Sequence, residues 1–75
     1  MKLTAPQERV LRRVVNTNGG GIYVEVDPDR RVIMRLHEMG LVQGKASHAA
    51  RVVHTRDGLD LIRHIDAIAS AKPTP

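Results

Sequence analysis

The stretch from Asp27 to Val42 is the part of the chain that most restricts its fold. Asp27-Pro28 is a typical helix start, with Asp27 as the N-cap and Pro28 as the first helical residue. Apolar residues then recur at helical spacing, at Val32, Ile33, Leu36 and Met39. Gly40 is a natural helix end, after which Leu41 can fold back on the last turn as in a Schellman motif. The pattern predicts a helix over residues 28–39 that leads directly into a strand.

A second helix is predicted near the start of the chain. Thr4 and Gln7 are spaced as a capping box, with Pro6 in the first turn. The predicted buried stripe of this helix is Val10, Leu11, Val14 and Val15. Gly19-Gly20-Gly21 follows the helix; we interpret it as a turn, because a phosphate-binding loop would lead into a helix N-terminus and here a strand over 22–26 is predicted.

The remainder of the chain predicts a β-hairpin and a last helix. Residues 41–43 and 51–54 are predicted strands, joined by a polar, seven-residue tip over 44–50. Thr55 is the predicted N-cap of the final helix, and residues 71–75 are predicted to be a flexible tail. We therefore expect one small α+β domain over residues 1–70, in the order helix, strand, helix, hairpin, helix.

Composition limits the core and the classes of partner. The 75 residues include one tyrosine and no phenylalanine, tryptophan or cysteine, so an aliphatic core must be thin or completed by a second chain. The net charge is +4, and residues 27–56 carry +3 of it, which favours polyanionic partners. Without an apolar run of 18 residues or a signal-peptide core, we expect a soluble, cytoplasmic protein with no membrane contact.

Three segments resemble the winged helix-turn-helix family of DNA-binding domains. Residues 3–11 resemble its opening helix, and residues 35–42 resemble its L-x-x-x-G-L-V junction between recognition helix and wing. Residues 52–62 resemble its returning wing strand and L-T-x-x-G-x-x-L-I exit. The resemblance, which covers positions 3 to 66, implies that the helix over 28–39 is the recognition helix and the hairpin over 43–51 is the wing.

The same resemblance implies a set of DNA-contacting residues. On the helix these are Arg30, Arg31, Met34 and Arg35; on the wing they are Lys45, Ser47, His48 and Arg51. Arginine can bind guanine O6 and N7 with two hydrogen bonds or neutralise a phosphate. Arg30 and Arg31 are the expected base readers, because the N-terminal end of a recognition helix usually lies deepest in the major groove.

The sequence departs from the family before the recognition helix. Only Asp27-Pro28-Asp29 separates the first strand from that helix, which leaves no room for the usual positioning helix. Either the domain is a minimal variant or residues 20–26 supply an irregular substitute. Asp27 and Asp29 also lie at the end of the helix that would approach DNA; we interpret them as capping residues that interact favourably with the helix dipole.

The last helix carries a wider apolar band than one small domain would cover, which favours a homodimer joined through residues 59–69; the alternative is a helix packed in the core of a single chain. The expected dimer residues are Leu59, Ile62, Ile65, Ile68 and Ala69. We expect a sequence-specific protein that binds double-stranded DNA, a transcriptional regulator of the phage or mobile-element type. The alternative is a winged-helix protein-interaction module that does not bind DNA. No catalytic constellation, metal-ligand spacing or cofactor motif is present, so we expect no enzyme activity, metal or cofactor.

Overall fold

A computed structural model describes residues 2–71 of the chain. In this range the elements are α1 (Ala5–Asn16), β1 (Ile22–Tyr23), α2 (Arg30–Glu38), β2 (Val42–Lys45), β3 (His48–His54) and α3 (Arg56–Ala71). The strands form an antiparallel sheet in the order β1-β3-β2. This α+β arrangement agrees with the predicted class, and its layout is compatible with a winged helix.

The core lies between the three helices and one face of the sheet. The most deeply buried side chains are aliphatic: Val10, Leu11, Val14, Ile33, Leu36, Leu41, Val42, Val52 and Ile62. The predicted stripes of the first two helices supply five of these, while Val15, Val32 and Met39 pack at the edge. A core built from so few side chains makes each one a large contributor to the free energy of unfolding.

The start of α1 has the predicted capping box. The Gln7 amide donates to Thr4 Oγ1 at 3.3 Å, and the Thr4 amide donates to Gln7 Oε1 at 3.0 Å. After the helix, the Gly21 amide donates to Thr17 Oγ1 at 2.9 Å. Gly21 has φ +80°, and a Cβ there would lie 2.7 Å from the Val52 carbonyl oxygen. Glycine therefore lets this loop rest directly on β3.

The segment between β1 and α2 differs from the prediction. The strand ends at Tyr23 rather than at residue 26, and two successive turns follow. In these turns the Asp27 amide donates to the Val24 carbonyl, and the Arg30 amide donates to the Asp27 carbonyl, each at 3.2 Å. Within the described residues, the segment between β1 and α2 is an irregular double turn over residues 24–29 and contains no helix.

The predicted start of α2 was wrong by two residues. Its N-cap position is Asp29, whose side chain makes no capping hydrogen bond, and the helix begins at Arg30. Asp27 Oδ1 instead accepts from the Asp29 amide at 2.9 Å, which closes a side-chain turn ahead of the helix. With nine residues, α2 is about 13 Å long.

The predicted Schellman motif after α2 is confirmed, although the helix ends at Glu38 and Met39 is its C-cap. The Gly40 amide donates to the His37 carbonyl and the Leu41 amide donates to the Leu36 carbonyl, both at 3.0 Å. Gly40 has φ +77°. These two bonds and the left-handed glycine are the Schellman motif. They turn the chain sharply so that Leu41 is buried and β2 can begin.

The wing has longer strands and a shorter tip than predicted. β2 and β3 run to Lys45 and from His48, which leaves Ala46 and Ser47 as the tip. Gly44 pairs with Val52 but Lys45 pairs with His48, so the register shifts between them. β1 pairs with β3 only at Arg51 and Val52, within the predicted strand. The extension of β3 to His48 is accompanied by the pairing of His48 with Lys45 and by the hydrogen bond from the Val24 amide to the Ala50 carbonyl at 3.2 Å.

The two faces of the sheet have different roles. Ile22 and Val52 are paired and face the core, whereas the neighbouring pair, Tyr23 and Arg51, lies on the opposite side because successive residues of a strand alternate. We call this opposite side the outer face. It carries polar and aromatic side chains instead of core residues.

The last helix begins as predicted and ends later than predicted. The Gly58 amide donates to Thr55 Oγ1 at 3.1 Å, and Thr55 Oγ1 donates to the Gly40 carbonyl at 2.7 Å. Thr55 therefore caps α3 and fastens it to the end of α2. The helix includes Ala71, which the sequence placed in the tail; residues 72–75 lie outside the described residues. No helix within residues 2–71 is long and apolar enough to cross a membrane.

Candidate nucleic-acid interface

The N-terminal end of α2 presents two arginines to solvent. Arg30 and Arg31 are exposed, and within residues 2–71 neither lies within 4.0 Å of a carboxylate. Met34, one turn further along, is 51% exposed. Arg35 Nη1 instead donates to Glu38 Oε2 at 3.0 Å on the helix surface. Two unpaired guanidinium groups thus lie beside an exposed thioether, with a third held in a surface ion pair.

The aspartates that precede α2 are bound to an arginine from α1. Arg13 donates to both carboxylate oxygens of Asp27, and its Nη1 lies 3.4 Å from Asp29 Oδ2. The Asp27 side chain is only 7% exposed. The hydrogen bond from Arg13 and the backbone amide of Asp29 lower the pKa of the Asp27 carboxyl, against the effect of its burial.

This ion pair changes the electrostatics of the helix entry. The expectation that Asp27 caps α2 was wrong, because its carboxylate is held by Arg13. Taken together, the entry to α2 has three arginines against two aspartates, and the two unpaired groups among these are the cations. Three positive against two negative charges leave the entry with a net charge of +1, and both carboxylates contact Arg13, so the entry can approach a polyanion.

The wing residues do not all extend outward. Ser47 and His48 are exposed at the tip, but Lys45 and Arg51 are half-buried. Lys45 Nζ donates to the Gly20 carbonyl oxygen at 3.3 Å, and Arg51 Nη1 donates to the same oxygen at 3.2 Å. Lys45 and Arg51 of the wing therefore extend back toward the triglycine loop over residues 19–21.

Tyr23 was not among the predicted site residues, and it organises the outer face of the sheet. The Arg51 guanidinium carbon lies 4.4 Å from the centre of the Tyr23 ring, a cation–π contact. The His48 ring meets Tyr23 edge-on with centroids 5.3 Å apart, and Tyr23 Oη lies 3.4 Å from His48 Nε2. As the only aromatic residue besides the histidines, Tyr23 was the available signal.

The predicted dimer residues of α3 do not share one surface. Ile62 is 4% exposed and belongs to the core of the single chain, so its placement in a dimer interface was wrong. Leu59 and Ile65 are half-buried, while Ala69 is exposed and Ile68 is 56% exposed. The apolar band of α3 includes the residues that pack the helix against its own domain, and Ile62 is one of them.

A shallow groove lies beside α3, and it is lined by Leu3, Leu61, Ile65 and Ile68 together with Lys2, Glu8 and His64. A second depression shares Leu61 and His64 with it and is otherwise lined by Met39, Leu41, Asp57 and Asp60. Leu61 was not in the predicted dimer set, although its spacing from Ile65 and Ile68 places the three on one side of the helix.

Over the part of the chain that the structure describes, no three histidine, aspartate or glutamate side chains are grouped so that they could hold a metal ion. His54 Nδ1 is buried without a hydrogen-bond partner among those residues.

Comparisons with protein-family models, curated proteins and solved structures gave no significant match. The winged-helix resemblance consequently stays a prediction from the sequence.

Proposed function

We propose that the protein is a small DNA-binding protein of winged-helix type that contacts duplex DNA through α2 and regulates transcription. The observation that carries this proposal is the charge arrangement at the entry to α2. Arg13 holds Asp27 and Asp29, while Arg30 and Arg31 are exposed without a carboxylate partner in residues 2–71. Guanidinium groups at the end of an exposed helix suit both guanine edges and phosphates.

The exposure of each side chain indicates which part of the DNA it would contact. Arg30, Arg31 and Met34 would meet base edges, and Arg35 would reach a phosphate by exchanging its surface pair with Glu38, which is a weak interaction. Ser47 at the wing tip would contact the backbone. Lys45 and Arg51 both bind the Gly20 carbonyl, and His48 packs on Tyr23, so these three wing residues lie on the outer face of the sheet and are not among the expected contacts of a duplex on α2.

The test is salt-dependent binding of a random-sequence duplex by the R30A/R31A double variant. Each phosphate contact contributes about 0.9 to the slope of log K against log salt, so removing two contacts should lower the slope by up to about two. Arg63→Ala is the matched control, since Arg63 is exposed on α3 and has no carboxylate within 4.0 Å among the described residues. Undiminished binding by the double variant, with unchanged melting of both proteins, would contradict the role of α2.

We also propose that two copies associate through the groove beside α3. Ile68 is the most exposed large apolar residue of that helix, and with Leu61 and Ile65 it offers a surface that a second copy could cover. Dimerisation would place two α2 helices on successive turns of DNA, as pseudo-palindromic sites require. Sedimentation equilibrium should give about twice 8.3 kDa, and Ile68→Asp should give a single-chain mass. A single-chain mass for the unaltered protein at high concentration would refute the dimer.

The second candidate function is a protein-interaction module, favoured by the same apolar groove. A different protein could cover Leu61 and Ile68 in place of a second copy. This function would hold if the protein bound no duplex at low salt and remained monomeric.

A further inference from the structure

The outer face of the sheet holds two cations without a counter-charge. Lys45 Nζ and Arg51 Nη1 donate to the same Gly20 carbonyl oxygen, at 3.3 and 3.2 Å. They therefore lie within about 6.5 Å of each other. Within residues 2–71, neither forms an ion pair with a carboxylate at 4.0 Å or less. A neutral carbonyl satisfies one hydrogen bond from each cation but does not compensate their mutual repulsion.

The surroundings hold these cations in place. Tyr23 packs against the Arg51 guanidinium at 4.4 Å, and His48 lies against Tyr23 with its Nε2 3.4 Å from Tyr23 Oη. Gly21 fixes the loop behind them, because a Cβ at this position would lie 3.3 Å from Arg51 Cβ and 3.2 Å from Val53 Cγ1. The arrangement is built from four elements of the chain: the triglycine loop and all three strands.

Donors remain free in this cluster. Within the described residues the Arg51 side chain makes a single hydrogen bond, through Nη1, while its Nε is buried without a partner. An arginine with a purely structural role usually has its buried donors satisfied. Lys45 likewise uses one of its three N–H groups on Gly20. Free N–H groups on adjacent cations, next to a tyrosine hydroxyl and an imidazole, match the acceptor oxygens of a phosphate group.

The cluster is separate from the proposed DNA-reading surface. Val52 lines the depression between the sheet and α2, together with Ile33 and Met34. Arg51 precedes Val52 in the same strand and lies on the other side of the sheet, as does its cross-strand partner Tyr23. A duplex lying on α2 therefore faces the opposite side of the sheet from this cluster.

We propose that Lys45 and Arg51, supported by Tyr23 and His48, form a phosphate-binding site on the outer face of the sheet. The ligand class is a phosphate group, either free or ester-linked, and the polynucleotide backbone is its second source. A bound phosphate would supply the negative charge that no carboxylate among the described residues supplies to Lys45 and Arg51. The site does not depend on α2 binding DNA, so its test is independent of that proposal.

The experiment is a titration of the full chain with inorganic phosphate, monitored by ¹H–¹⁵N correlation NMR. Sodium chloride keeps the ionic strength constant. The amides of Gly20, Gly21 and Tyr23 should shift in a saturable way. Lys45→Ala and Arg51→Gln should each weaken the apparent affinity about tenfold, the loss expected for one charge-assisted hydrogen bond. Arg63→Ala, which removes the same charge from α3, should leave the affinity unchanged.

A second titration with a short duplex distinguishes the sources. Saturable shifts of the three amides with the duplex but not with inorganic phosphate, lost in Lys45→Ala, would assign the site to the polynucleotide backbone. The proposal is overturned if neither probe shifts these amides, if the shifts do not saturate, or if both variants bind like the unaltered protein. Failure of R30A/R31A to affect duplex binding would refute only the α2 proposal.

Discussion

Gly58 is the position where the structure and local helix propensity predict opposite effects of one substitution. Gly58 lies in the first turn of α3, where replacing glycine by alanine normally stabilises a helix by about 1 kcal/mol. A Cβ at Gly58, however, would lie 2.1 Å from the Leu41 carbonyl oxygen, 3.1 Å from the Leu41 carbonyl carbon and 3.3 Å from Leu11 Cδ1. Two of these three contacts involve backbone, which cannot rotate away.

The magnitude follows from what must move. To relieve the contact with Leu41, α3 must shift away from the end of α2, against the hydrogen bond from the Thr55 amide to the Leu41 carbonyl at 3.0 Å. Overpacking of this kind costs about 3 kcal/mol or more at its upper end. After the gain in helix propensity, Gly58→Ala should lower the free energy of unfolding by about 2 kcal/mol, which corresponds to a melting temperature lower by about 8–16 °C.

The assay is urea and thermal unfolding followed by circular dichroism. Gly44→Ala is the matched control, because a Cβ at Gly44 meets nothing within 4 Å and its φ is not positive. Gly44→Ala should change the free energy of unfolding by less than about 0.5 kcal/mol. If Gly58→Ala were as stable as the unaltered protein, or more stable, the close approach of α3 to Leu41 would be refuted.

Three further predictions concern stability. Because the pKa of Asp27 is lowered by Arg13, its contribution is present above the unfolded-state value of about 3.9 and is lost as pH falls through the lower folded-state pKa. Asp27→Asn should therefore flatten the acid limb of a profile of stability against pH. At neutral pH it should lower the free energy of unfolding by about 1 kcal/mol, because Arg13 is 44% exposed and solvent screens the pair. An unchanged acid limb would contradict a stabilising pair between Arg13 and Asp27. Ile62→Ala should lower the free energy of unfolding, measured in urea, by about 2–5 kcal/mol because Ile62 is buried. Ile68→Ala should change the free energy of unfolding of the monomer by less than about 0.5 kcal/mol. Equal effects of the two variants would contradict the assigned burial. Thr55→Ala should cost about 1 kcal/mol through loss of the cap on α3, with Thr55→Ser retaining most of it.

The helix ends were the features of the fold that the sequence predicted best. Thr4, Gly40 and Thr55 act through hydrogen bonds to residues within a few positions, and local patterns contain that chemistry. The start of α2 was missed for the opposite reason. Its Asp27 carboxylate is taken by Arg13, 14 residues earlier, and a capping pattern does not register a competitor that arrives through tertiary packing.

The candidate site was predictable on the helix and only partly on the wing. The exposed face of α2 follows from the periodicity that buries Ile33 and Leu36. The direction of Lys45 and Arg51 depends on the Gly20 carbonyl, 25 and 31 residues away along the chain. The family resemblance indicated these residues as charged wing positions, but the sequence could not show that both bind the same carbonyl oxygen.

The proposed function depends most directly on whether α2 binds duplex DNA. The decisive measurement is the affinity of the unaltered protein and of R30A/R31A for a labelled random duplex, by fluorescence anisotropy from low to physiological salt. We expect micromolar binding at low salt that falls steeply as salt rises, and a weaker, less salt-dependent interaction for the double variant. No binding by micromolar protein at low salt, or equal binding by the folded double variant, would contradict the proposal.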